Sequence, residues 1–110
     1  MMISMISFGQ LNVTMRSHLP YSVALSNIGG YVDSSGNEYA LVGTYNGLSI
    51  VDVTDPANPV IKFNIAGTNS DWREVKTWQN YAYVTTEGCC NGLQILNLGY
   101  LPDSVPTKYY

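Results

Sequence analysis

Apolar residues fall in short runs broken by Gly, Asn, Asp and Pro, a pattern that predicts strands and turns rather than helices. The runs Leu25 to Val32, Tyr39 to Thr44, Leu48 to Val53 and Val60 to Ile65 predict four successive strands. Tyr81 to Thr86 and Leu93 to Leu98 predict a later hairpin, with Trp72 to Trp78 leading into it. An earlier strand of mixed polarity is expected over Ile3 to Leu11, followed by an irregular connection to residue 24. In the run after Gly47, Leu48 and Ile50 point one way while Val51 and Val53 point the other, so neither face is polar. Such a strand must be covered on both sides.

The breaks carry turn chemistry. Asp33-Ser34-Ser35-Gly36-Asn37 is a cluster whose side chains cap turns or accept positive φ. Asn46-Gly47 reads as a tight hairpin turn, because both residue types tolerate the left-handed geometry that matches strand twist. Asp55 suits the first position of a turn and Pro56 the second, while Pro59 removes an amide donor before the next strand. Gln79-Asn80 predicts another turn, and Lys62 and Asn64 mark a solvent-facing sheet edge.

The pattern also repeats. Tyr39, Ala40, Val42 and Thr44 return as Tyr81, Ala82, Val84 and Thr86 at a spacing of 42, and Gly47, Leu48 and Ile50 as Gly92, Leu93 and Ile95 at 45. The second copy therefore carries three extra residues, placed most simply in the turn around Gly88, Cys89 and Cys90. A period in the low forties with several short strands per unit is the signature of a propeller blade. Two strand pairs of an ordinary β-sandwich are the competing reading.

The predicted fold is thus all-β: a partial β-propeller of about two four-stranded antiparallel blades. Residues 1–24 form an outer strand and connecting loop, residues 25–66 the first blade and residues 67–110 a second blade, incomplete at its fourth strand, which Lys108 to Tyr110 would begin. Propellers close with roughly four to eight blades, so the 110 residues read as a piece of a larger assembly with the remaining blades as partners.

Charged residues are only 12% of the chain, and the formal net charge is −3. Five scattered Lys and Arg supply no clustered basic surface, which argues against a nucleic-acid partner. No run approaches the roughly 20 apolar residues of a membrane helix. Adjacent Cys89 and Cys90 read first as two thiols in a long turn and second as a labile redox pair, and they lack the further ligands of a structural zinc site. His18, in a polar loop, has no Ser or Asp pattern around it, and Asn12-Val13-Thr14 is too short a glycosylation match to carry weight. No catalytic residue, metal site or cofactor is expected.

The candidate ligand cluster is Asp71, Trp72, Arg73 and Glu74, supported by Trp78 and Glu87. Arg73 could grip a carboxylate with a forked contact, and Trp72 or Trp78 could stack on a sugar ring. The competing reading of the same residues is an ion pair of Arg with Glu and two packing tryptophans. Sialidase-type Asp boxes and the H-E-x-x-H zinc motif are both absent from the sequence.

The stretch GLSIVDVTDPANPV, with GLQILNL as a weaker copy, resembles the LVIVD repeats of choice-of-anchor B proteins. GYVDSSGNEYALVGTYNG and WREVKTWQNYAYVTTE extend the resemblance over roughly residues 25 to 105. It implies a propeller of a bacterial protein exported to the cell surface or the extracellular space and is nearly silent about chemistry; the leading functional expectation is a non-catalytic module that binds or scaffolds protein or glycan. A hydrolase completed by other blades and a purely structural adhesion module remain the alternatives. Gly29 departs from the resemblance, standing where an aromatic residue is expected, which predicts looser packing at the inner end of one blade.

Overall fold

A computed structural model describes residues 12–90 and 92–110; the strand expected over residues 3–11 lies outside the described residues. Eight strands are seen among them: β1 (Leu25–Val32), β2 (Glu38–Thr44), β3 (Gly47–Asp52), β4 (Val60–Ala66), β5 (Arg73–Trp78), β6 (Tyr81–Thr86), β7 (Gln94–Asn97) and β8 (Thr107–Tyr109). They form two four-stranded antiparallel sheets, β1-β2-β3-β4 and β5-β6-β7-β8, each in sequential order. This is the all-β pair of blades that the repeat predicts. β8 pairs with β7 through Thr107, Lys108 and Tyr109, shorter than β4 in the first sheet.

The turns follow from local chemistry. Asp33 Oδ1 accepts from the backbone N–H groups of Ser35 and Asn37, at 2.9 Å each, and Oδ2 accepts from the Asn37 amide at 2.8 Å. Asp55 does the same for Ala57 N–H and the Asn58 amide. These bonds, led by those from Asn37 and Asn58, hold both carboxyls below the ordinary carboxylate range.

The Gly-Leu segments differ from the sequence reading in an informative way. Thr44 pairs with Gly47, so the two-residue loop is Tyr45-Asn46 and Gly47 already belongs to β3. A Cβ at Gly47 would be driven into the carbonyl oxygen of Ile65 on β4, and one at Gly92 into that of Tyr110 beyond β8. Both pairs are 45 residues apart, so the repeated glycine is a requirement for close approach of the fourth strand.

A single core lies between the sheets. Tyr39, Leu41, Leu48 and Ile50 of the first sheet meet Val75, Ala82, Val84, Leu96, Leu98 and Leu101 of the second unit. Residues 12–24 run without regular structure, and Tyr21 donates to Ser49 Oγ at 3.0 Å on the far side of the first sheet. β1 and β5, the first strands of the two sheets, lie side by side. Ser26 Oγ donates to Arg73 O, Val75 N–H to Asn27 Oδ1, Thr77 Oγ to Gly30 O and Tyr31 OH to Asn80 Oδ1. Positions rising together along both strands mean that they run parallel, as the inner strands of neighbouring blades do. Gly29 tightens this seam instead of loosening it: a Cβ there would stand 3.3 Å from Val75 Cγ1.

Two outcomes are expected. Gly47→Ala should lower unfolding free energy by about 1–3 kcal/mol in urea titration, while Gly30→Ala, with open space where a Cβ would sit, should stay within about 0.5 kcal/mol. Burial, then the negative charge of Asp33, pushes the Tyr39 hydroxyl up to about 12. In the unfolded chain it loses its proton near pH 10. The stability this contributes is complete below about pH 10 and is lost as pH rises toward 12, so Tyr39→Phe should flatten the alkaline limb of a stability–pH profile.

Candidate functional site

The turn Tyr45-Asn46 anchors the loop that links the sheets. Gly67 N–H donates to Asn46 O at 3.0 Å and Ser70 N–H to Tyr45 O at 2.9 Å. Arg73 completes the anchor: Nε donates to Thr44 O at 3.0 Å and Nη2 to Thr68 O. Only 3% of Arg73 is exposed, and its guanidinium packs over Gly67, where a Cβ would lie 3.0 Å from Nη1. Burial pulls its pKa below the ordinary value, an effect partly offset by Tyr109 and Glu87.

Arg73 thus turns Nε and Nη2 to backbone carbonyls, and it is not the ion-pair partner of Glu74. Two of its donors are committed to backbone carbonyls, one at the end of β2 and one in the linking loop. Glu74 pairs instead with Lys76 at 3.0 Å, and both side chains are largely exposed, which makes the pair worth at most about 1 kcal/mol.

Ser70, which the sequence reading passed over, organises the rest. Its buried hydroxyl accepts from Trp72 N–H at 3.1 Å and has one proton to place between two acceptors, the Glu87 carboxylate and Trp72 O at 2.8 Å. A serine two residues before an exposed aromatic is a side-chain-capped turn, which is the signal that could have found it. The result is a backbone tied at the Trp72 N–H while Trp72 as a residue is 75% exposed.

Leu25, Asp71, Trp72, Glu74, Thr86 and Glu87 line an open depression of about 670 Å³ around this loop. Five of the sequence-predicted residues are thus brought to one place: Asp71, Trp72, Arg73, Glu74 and Glu87. Trp78 is not among them. It ends β5, six residues on from Trp72, which at about 3.4 Å per residue places it roughly 20 Å away. Neither tryptophan packs in the core, since 68% of Trp78 is also exposed.

The long turn after Glu87 holds a further difference. Cys89 and Cys90, read first as free thiols, are bonded to each other. Gly88 fits against the linking loop, where a Cβ would stand 2.8 Å from Thr68 Cγ2.

Chemically, the depression offers a flat aromatic face, carboxylate acceptors and hydroxyls. That set suits a hydroxylated ring, which stacks through its C–H face and donates from its hydroxyls.

Replacing Arg73 tests its role as a staple. Arg73→Met should lower stability by about 2–4 kcal/mol, because the bonds from Arg73 to Thr44 O and Thr68 O are lost, and Arg73→Lys should recover little, lacking the fork. Thermal unfolding followed by circular dichroism checks this.

Residues 29–66 of the chain match the LVIVD repeat family. This covers the first sheet from Gly29, midway along β1, through β4 and agrees with a repeat of propeller type. No curated protein and no solved structure matches the chain.

Proposed function

We propose that the protein is a non-catalytic propeller-repeat module of the choice-of-anchor B type that binds glycan through the Trp72 depression. The LVIVD repeat at residues 29–66 supports the repeat-module part of this reading. The observation that carries the binding part is Trp72: its N–H is tied to the buried Ser70 hydroxyl, yet its ring lies open beside Asp71, Glu74 and Glu87. An exposed indole contributes nothing to the core and is held in place without packing, which is how a recognition platform is built.

Placement at the cell surface or outside the cell follows from the resemblance of GLSIVDVTDPANPV to such proteins. No helix among the described residues is long and apolar enough to cross a membrane. A protein ligand is the second occupant of the same depression, since an aromatic ring with a carboxylate rim also receives peptide side chains.

A glycan array probed with the chain and with Trp72→Ala tests the proposal. Signals from the unmodified protein should fall about tenfold or more in the variant, in keeping with the loss of a stacking platform. Unfolding curves of the two proteins should coincide, because the ring is exposed. A blank array for the unmodified protein removes the glycan reading, and a signal indifferent to Trp72→Ala removes this site.

A further inference from the structure

Neither cysteine of the bonded pair Cys89–Cys90 lines the Trp72 depression, yet the turn they close supports one wall of it. Glu87 follows β6 directly, and its carboxylate is one of the two acceptors within reach of the Ser70 hydroxyl. Gly88 comes next, so near the linking loop that a Cβ would stand 2.8 Å from Thr68 Cγ2 and 3.0 Å from Asn69 O. Thr86 Oγ donates to Gly88 O at 3.3 Å, which ties the turn to the end of β6. The turn therefore leans on Thr68, on Asn69 and, through Glu87, on Ser70. These are the residues that hold Trp72 in place.

The backbone here is one that its residues do not adopt freely. Cys90 has a φ of 93°, a region that few residues with a Cβ occupy. Its bond to Cys89 closes a small ring around the peptide group between them, which leaves Cys90 little room to return to negative φ. Opening the ring removes that restraint. Both cysteines are exposed, so a thiolate arriving from solvent reaches either sulfur.

We propose that Cys89–Cys90 is a redox switch for the Trp72 depression: bonded, the pair seats Glu87 on Ser70 and steadies the Trp72 loop, and reduced, it lets the turn relax and the loop loosen. The proposal rests on the reading of that depression as a binding site. The reductant is a dithiol. One of its thiolates attacks a cysteine sulfur, the Cys89–Cys90 bond breaks and a mixed disulfide forms; the second thiol of the reductant then displaces the cysteine and closes the reductant's own disulfide. The chain gains two electrons and two protons as a pair of thiols, and the dithiol loses the same. Once Cys90 turns back, Gly88 is no longer pressed on Thr68 and Asn69, and the carboxylate of Glu87 is free to leave Ser70. Ligand then meets a looser loop and pays more conformational freedom to order it.

Amide exchange followed by NMR, with and without dithiothreitol, tests the coupling and needs no ligand. The Trp72 amide, which donates to Ser70, should exchange about tenfold faster after reduction, while the amide of Ile50 in buried β3 keeps its protection. Thiol titration should find none before treatment and two after it. A variant carrying both Cys89→Ser and Cys90→Ser should show the fast Trp72 exchange under either condition. On the glycan array, reduction should weaken binding by the unmodified chain about fivefold and leave the serine variant unchanged. A blank array removes the binding reading alone, because the exchange data decide the switch by themselves. Trp72 exchange indifferent to dithiothreitol, an equal acceleration at Ile50, free thiols before treatment, or a serine variant that behaves like the bonded chain would each overturn the switch. So would array signals of equal strength from the bonded and reduced chains.

Discussion

Everything else in this molecule depends on how closely β1 and β5 approach. Two parallel first strands from different sheets cannot share a backbone ladder, so the seam is closed by side chains reaching the opposite main chain: Ser26 to Arg73 O, Asn27 to Val75 N–H and Thr77 to Gly30 O. Gly29 permits the approach, and the buried faces of β2 and β6 fill the space behind it. Such bonds satisfy polar groups that the core would otherwise leave unpaired, which matters more than the modest net gain from each.

The same seam decides what the linking loop can offer a ligand. Because the sheets converge there, Arg73 is enclosed and its fork serves the carbonyls of Thr44 and Thr68. Ser70 then fixes Trp72 and Glu87 together above it. A rigid loop with an open ring loses little conformational freedom when a ligand arrives, the condition under which a small contact area still yields useful affinity. The depression and the groove beside Tyr83 are separate surfaces of the second unit, one made by a loop and the other by a sheet face.

Internal repetition gives these observations their meaning. Gly47 and Gly92 are kept apart from the carbonyls of Ile65 and Tyr110 only by having no side chain, and those pairs recur at one spacing. Where the units differ in burial, the cause is what lies against each sheet: Tyr31 is half-buried in the seam while Trp78 is open, and Leu41 is enclosed while Tyr83 lines a groove.

Strand positions, the order within each sheet and the recurrence of the unit were legible in the sequence, because side-chain alternation and turn residues such as Asp33, Asp55 and Pro56 act over a few neighbouring positions. The aromatic and carboxylate character of the linking loop was legible for the same reason. What Arg73, Gly29 and Gly47 do was not, since each is defined by a partner far along the chain: Thr44 O, Val75 and Ile65 O. Trp72 and Trp78 look alike as residues in one short run, and only strand direction sends them to opposite ends of β5. Local chemistry determined the elements; the convergence of two sheets, a property no single stretch contains, decided which polar groups are enclosed and which rings stay open.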